Sequence, residues 1–206
     1  NAGQTCICAN RIYVQDTVYD EFARLLAENI KSMKVGPGVN ADTDIGPMIN
    51  EQGIEKVNAH IKDALAKGGE LVCGGQPHDA GPLFFEPTLI REMTLDMAIK
   101  DEETFGPVAG LFRFTSEDEV IREANDTIYG LAAYFYSNDL GQCFRVAEGL
   151  EYGMVAVNEG ILSTELAPFG GVKQSGVGRE NARAAIEHYT QIKTVYVAMG
   201  DVEAPY

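Results

Sequence analysis

A cysteine at position 6 lies in the stretch Asn1-Ala2-Gly3-Gln4-Thr5-Cys6-Ile7-Cys8, behind a glycine and small polar residues and ahead of an apolar run, Ile12-Tyr13-Val14. Small neighbours let a substrate carbon approach the sulfur. Backbone N–H groups beside it can face an anion that forms there. The pattern suits a nucleophilic thiol, since covalent catalysis divides one difficult step into two easier ones. A buried, inert side chain is the plainer role of a lone cysteine. Free cysteine titrates near ~8.5, so a thiolate abundant near neutral pH needs a lowered pKa or a base. No cation is evident beside Cys6 in the sequence. Cys8 is a candidate redox partner. In a regular strand the two residues would share a face about 6.5–7 Å apart, whereas a disulfide needs Cα atoms within ~4.4–6.8 Å. A bridge therefore requires a bent segment, and the alternative is that Cys8 is a small filler.

Two further stretches carry candidate chemistry. Asp101-Glu102-Glu103-Thr104-Phe105-Gly106-Pro107 precedes a strand-like run over 108–114. A charged turn explains Gly106 and Pro107, but not an aromatic between a carboxylate and the turn. Residues 158–176 form a long segment, of a length that in a compact domain is functional or disordered. Its Phe169-Gly170-Gly171 and Ser175-Gly176 punctuation favours a shaped loop. It lacks Gly-Lys-Ser/Thr as a unit and is not a phosphate loop. Asp42 and Asp44 lack calcium-loop spacing and belong to a solvated loop; no metal site is expected. His60 lies near the apolar stripe of a helix and is expected to be structural.

The elements that must position these residues alternate. Strands are predicted over 9–15, 70–73, 85–92, 108–114, 131–136, 153–157 and 193–199, with those at 70–73 and 85–92 peripheral. A first helix carries Val18, Phe22, Leu25, Leu26, Ile30 and Met33 at helical spacing. A second, over 50–67, carries Ile54, Val57, Ile61 and Leu65. Ser116-Glu117-Asp118-Glu119 is a capping box for a third, with Val120, Ile121, Ala124 and Ile128 as its stripe. A fourth, over 139–150, turns Leu140, Cys143, Phe144 and Ala147 inward. A last one opens at Gly178 and Arg179, with Ala182, Ala185, Ile186 and Tyr189 as its stripe. This alternation predicts an α/β fold, a three-layer αβα domain with a largely parallel sheet. Such sheets bind ligands beyond the carboxyl ends of their strands, where Asn158 begins its segment. No Gly-x-Gly-x-x-Gly follows a strand, so the chain carries no dinucleotide fingerprint of its own.

Composition bounds the partners. The chain has 206 residues, a net charge of −15 and a sequence pI near 4.5. That balance argues against nucleic-acid binding, which needs a basic footprint. No apolar run approaches the ~20 residues of a membrane helix, so no membrane is expected. Four cysteines, Cys6, Cys8, Cys73 and Cys143, do not form a secreted disulfide framework. A reducing, cytoplasmic setting is expected. The chain lacks an initiator Met and begins inside its first motif, as a fragment would.

Asn-x-Gly-Gln-x-Cys resembles the nucleophile segment of the aldehyde dehydrogenase superfamily. Glu-Glu-x-Phe-Gly-Pro at 102–107, Asn158, and Pro-Phe-Gly-Gly-x-Lys-x-Ser-Gly at 168–176 follow in family order, so the resemblance covers essentially the whole chain. It implies that Cys6 is the catalytic nucleophile. It implies that Glu103 bonds the nicotinamide ribose and that Phe105 packs near the nicotinamide ring of NAD or NADP. Residues 1–192 then correspond to the catalytic domain, and 193–206 to the C-terminal strand of an oligomerisation arm and a tail. The family's cofactor domain, general-base glutamate and oxyanion asparagine lie upstream of Asn1, so Glu103 is not the general base. The chain alone is expected to fold without turning over. The implied reaction passes through a cysteine thiohemiacetal and thioester to the acid, in a homodimer or homotetramer.

Residues 4–11 and 163–168 look most like succinate-semialdehyde dehydrogenases. On that likeness Ser163 helps bind the substrate carboxylate and Phe169 lines the aldehyde tunnel. Glutarate-semialdehyde and other aldehyde dehydrogenases look much alike. Two other classes are a thiol redox module of Cys6 and Cys8, and a non-enzymatic structural or assembly domain.

Overall fold

The computed structural model describes residues 1–199. In chain order its elements are β1 (Ile12–Gln15), α1 (Tyr19–Ser32), α2 (Glu51–Ala66), β2 (Glu70–Cys73), β3 (Thr88–Met93), β4 (Val108–Phe114) and α3 (Glu117–Asn125). Then follow β5 (Tyr129–Gly130), β6 (Ala132–Phe135), α4 (Leu140–Gly149), β7 (Met154–Val157), β8 (Val172–Lys173) and α5 (Ala184–Tyr189). The first four strands form one sheet in the order β1-β4-β3-β2, parallel except for β2 against β3. β6 and β7 pair in parallel, and β5 and β8 form a short antiparallel ladder.

Side chains alternate across a sheet, and here that alternation sorts the core into two halves. Val14, Leu89 and Leu111 pack with Tyr19, Ala23, Ala27 and Ile30 of α1 on one face. Ile90, Met93 and Phe112 pack with Val57, Ile61 and Ala64 of α2 on the other. A helix thus covers each face of a parallel-dominated sheet, and the expected α/β layering is present. The caps follow the sequence: Ser116 and Glu119 exchange capping-box hydrogen bonds at α3, and Asn50 accepts from the Gly53 amide at α2.

Several finer expectations are corrected. α1 buries Tyr19, Ala23, Ala27 and Ile30, and leaves Val18, Phe22, Leu25 and Met33 exposed. The small alanines let the helix approach the sheet. Tyr19 is drawn inward because its hydroxyl donates to the Leu111 carbonyl and accepts from the Glu92 amide. On α2, Ala64 and His60 are buried where Leu65 was expected. β3, expected at the periphery, is an interior strand with Leu89 and Ile90 fully covered, because both helices need its two faces. On α4, Val146 is buried and Cys143 half-buried, while Leu140 and Phe144 face solvent. No residue of α3 is fully buried, and Ile128 is exposed.

α5 begins only at Ala184 and buries nothing; Gly178 and Arg179 lead instead into an isolated bridge between Phe169 and Glu180. Residues 193–199 pair with no strand among the described residues, and Val195, Tyr196 and Val197 stand exposed. A lone segment has no ladder to satisfy its backbone. The expected tail at 200–206 lies outside the described residues.

Candidate active site

Cys6 sits on a tight turn rather than a strand. The Cys8 amide donates to the Thr5 carbonyl at 2.9 Å and the Gln4 amide to the Asn1 carbonyl at 3.0 Å. The segment is therefore bent, as a Cys6–Cys8 approach would require, and all four cysteines are free thiols. Cys6 and Cys8 are both exposed. The backbone N–H groups of Cys6 and Ile7 have no acceptor among the described residues. Gln4 fastens the turn, donating from its side chain to the Asn1 and Pro47 carbonyls and accepting from the Ile49 amide at 2.8 Å. Below it, Ala2 is buried in the α2 side of the core.

The turn rests directly on the second candidate stretch. Gly3 has φ +71°, and a Cβ there would stand 2.1 Å from the Gly106 carbonyl oxygen. Only glycine allows that approach. Gly106 is in turn pressed on α2, where an added Cβ would meet Val57 at 2.3 Å. Immediately before Gly106, Phe105 adopts φ +52° and is 40% exposed. A non-glycine residue held left-handed with its ring in the open is strained, and the contacts on either side hold it there. Asn10 completes the join: its amide donates to the Ile99 and Glu102 carbonyls, and its oxygen accepts from the Thr104 amide at 2.9 Å.

Glu103 thus stands beside the cysteine turn. Its carboxylate has no hydrogen bond or ion pair among the described residues. Burial pushes it above the usual carboxylate range, partly offset by Lys56. Cys8, although open to solvent as a residue, has its thiol pushed up by the atoms packed around it and then by the Glu103 charge. Tyr134 of β6 reaches the same turn, its hydroxyl donating to the Ile7 carbonyl at 2.8 Å. Burial raises that phenol first, with Cys8 and Cys6 adding to the shift.

An unpaired carboxylate and an exposed aromatic face, both fixed beside a thiol, fit the ribose and nicotinamide end of a dinucleotide. A carboxylate accepts two hydroxyl donors, and a ring face offers apolar contact. Among the described residues, no group of three His, Cys, Asp or Glu side chains could hold a metal ion.

The third stretch is held differently. Asn158, at φ +58°, ties the ends of β6 and β7 together through the Ser137 amide and carbonyl. Phe169 and Glu180 exchange backbone hydrogen bonds of 2.8 and 2.7 Å. Phe169 lines a hollow with Leu131, Arg179, His188 and Tyr189. Gly170 lies against Gly153, where a Cβ would meet its carbonyl oxygen at 2.0 Å. Lys173 is structural: its ammonium binds the Asn125 and Thr127 carbonyls at and just after the end of α3, and the Glu151 carboxylate. Ser163 is exposed, and its side chain makes no hydrogen bond among the described residues. Hydrogen bonds of their neighbours, Asn10 to Thr104 and Tyr134 to Ile7, tie the Cys6 turn to the Glu103–Phe105 stretch and to β6; none joins Ser163 or Phe169 to that turn.

Sequence reasoning missed Asn10, Tyr134 and the reach of His60. Asn10 follows the motif by one turn and looks like a strand entry. Tyr134 looks like one more residue of an aromatic strand. Neither has a local signal, because each acts on residues roughly a hundred positions away.

Comparison with known proteins closes the question of family. The aldehyde dehydrogenase family model matches residues 1–195. This chain belongs to the aldehyde dehydrogenase family. It is 57% identical to a 3-sulfolactaldehyde dehydrogenase of Pseudomonas putida, over 98% of this chain and 41% of that protein. It is 52% identical to an NADP+ succinate-semialdehyde dehydrogenase of Escherichia coli, over 97% of this chain and 41% of that protein. The crystal structure of succinate-semialdehyde dehydrogenase from Burkholderia pseudomallei superposes with a TM-score of 0.90 at 55% identity, covering 91% of this chain and 39% of that one. The chain therefore spans about two fifths of the length of the relatives it matches.

Proposed function

We propose that this chain is the thiol-bearing part of an NAD(P)-dependent dehydrogenase that oxidises a small aldehyde with an anionic tail, succinate semialdehyde in the first place. Cys6 is the nucleophile: its sulfur adds to the aldehyde carbon. The free N–H of Cys6 donates to the oxygen that becomes negative, an electrostatic contribution that is often the largest in such reactions. Glu103 accepts from the ribose, and Phe105 offers its face to the nicotinamide. A nicotinamide cofactor, when bound, supplies the hydride acceptor. Ser163 donates to the distal anion and Phe169 borders the approach of the chain. The single observation that carries this reading is the abutment of the Cys6 turn on the Glu103–Gly106 stretch through Gly3.

The second substrate reading has its own support. The relative at 57% identity is named for sulfolactaldehyde, whose tail is a sulfonate rather than a carboxylate. Both substrates share a short aldehyde chain ending in an anion, so the class is common to both readings. Residues 193–199, with Val195, Tyr196, Val197 and Met199 exposed, suit the arm of a homodimer or homotetramer. The test is a rapid-mixing assay of the full-length enzyme with succinate semialdehyde, sulfolactaldehyde and an uncharged aldehyde of similar length. The expected result is an NAD(P)H burst with an anionic aldehyde that disappears in Cys6→Ala. Dehydrogenase turnover retained by Cys6→Ala would sink the assignment.

A further inference from the structure

His60 is 4% exposed and lies on α2, one helical turn beyond Val57, which packs under Gly106. Its two ring nitrogens reach the residues on either side of Glu103. Nδ1 is 2.9 Å from the Thr104 hydroxyl, and Nε2 is 3.4 Å from the Glu102 carboxylate. A carboxylate only accepts, so Nε2 faces Glu102 as a donor, while Nδ1 and the Thr104 hydroxyl, which can donate or accept, share a hydrogen bond. The bond to Thr104 is buried and short, while that to Glu102 is long and open to water, so Thr104 is the firmer hold. Thr104 is itself 3% exposed, and its amide is held by Asn10.

We propose that His60 is a positioning residue for cofactor binding: by gripping Thr104 and Glu102 from α2, it fixes the height at which Glu103 and Phe105 stand beside Cys6. Two clamps then act on one short stretch. Asn10 holds its backbone from the cysteine side, and His60 holds its side chains from the helix side. Phe105 needs both, because its left-handed backbone relaxes when the neighbouring residues are released. The imidazole itself bonds Thr104 and Glu102 and neither Cys6 nor Cys8.

This rests on the cofactor reading of Glu103 and Phe105, and the test separates the two. In the full-length enzyme, His60→Ala, His60→Gln and Glu103→Gln are compared by calorimetric titration with NAD+ and NADP+, by kcat and KM, and by amide hydrogen exchange without cofactor. His60→Ala is expected to weaken cofactor binding and raise cofactor KM roughly tenfold, as loss of a buried hydrogen-bond partner does. The KM for aldehyde and the alkylation rate of Cys6 should move little. Exchange should rise at 102–106 and not along α2 as a whole. His60→Gln, which keeps a polar group facing Thr104, should recover part of the loss; it also serves if His60→Ala does not fold. Unchanged cofactor affinity and unchanged exchange at 102–106 in the His60 variants, with Glu103→Gln weakened, would overturn the role of His60 alone. Unchanged affinity in Glu103→Gln would overturn the cofactor reading beneath it. Exchange rising uniformly across α2 and the sheet would make His60 a general stabiliser and contradict the proposal.

Discussion

The turn around Cys6 and the loop around Ser163 are both irregular, yet they are built on opposite terms. The turn is stitched to distant residues by Gln4, Asn10 and Tyr134, and its Gly3 touches Gly106. Residues 163–168 are all exposed; their own side chains bond only locally, and the Thr164 and Glu165 carbonyls accept from the Asn181 side chain and the Ala182 amide. Chemistry at a thiol requires fixed geometry, since a small misplacement of reacting groups is costly. Choosing among aldehyde tails is a matter of one or two contacts, which a loop can vary. The difference suggests that the pinned turn sets the reaction and the open loop sets the substrate.

The sharpest way to break that contrast is at Gly3. Gly3→Ala places a methyl group against the Gly106 carbonyl and forces a left-handed backbone on alanine. The expected cost is about 3 kcal/mol, or roughly 6–12 °C in Tm, with most activity lost. Alanine placed instead at Gly176, where the loop leaves open space around a glycine of φ +122°, should cost less, since only the backbone is strained. Thermal unfolding followed by circular dichroism compares the two. Equal losses would show that the turn is no more constrained than the loop.

A smaller and more selective effect is expected at Ser163. Ser163→Ala should lower kcat/KM for succinate semialdehyde by about 1.5–3 kcal/mol, the cost of a hydrogen bond to a charged group, while an uncharged aldehyde of similar length is spared. Because the serine is exposed, Tm should not change. Steady-state kinetics on both aldehydes decide this, and an equal loss on both would remove Ser163 from the carboxylate site.

The smallest effect concerns Cys8. Its thiol is raised chiefly by burial and secondarily by Glu103. Removing that charge in Glu103→Gln lowers the Cys8 pKa, so more thiolate is present at any pH below it. Alkylation of Cys8 by iodoacetamide between pH 7 and 9 should accelerate modestly, as peptide mapping resolves. A slower reaction would mean that Glu103 does not face Cys8. The same mapping after mild peroxide tests a reversible Cys6–Cys8 disulfide, which the bent turn permits: sulfinic acid on Cys6 beside a free Cys8 excludes it.

The sequence carries the pinned region well and the packing details poorly. Asn1 to Cys8 and Glu102 to Pro107 are legible because each motif is local: glycine marks a close approach, and small residues mark access to sulfur. The alternation of strands and helices gives the layers for the same reason. What is lost is long-range. Tyr19 and the alanines of α1 form its buried face although Phe22 and Leu25 are more apolar, because the sheet needs a close helix and the Tyr19 hydroxyl finds backbone partners at β3 and β4. β3 looks marginal in isolation and is interior because helices press on both sides. The carboxylate nearest His60 in sequence is Asp63, one turn along α2, yet the ring meets Glu102 from 42 residues away.

The central claim is that Cys6, and not Cys8, carries the substrate. Acid quenching of the full-length enzyme during turnover of succinate semialdehyde with NAD(P)+, followed by peptide mapping, locates the acyl group directly. The expected result is an acyl thioester on Cys6 that grows with the NAD(P)H burst, with Cys8 a free thiol. An acyl group on Cys8, or turnover with neither cysteine acylated, would contradict it.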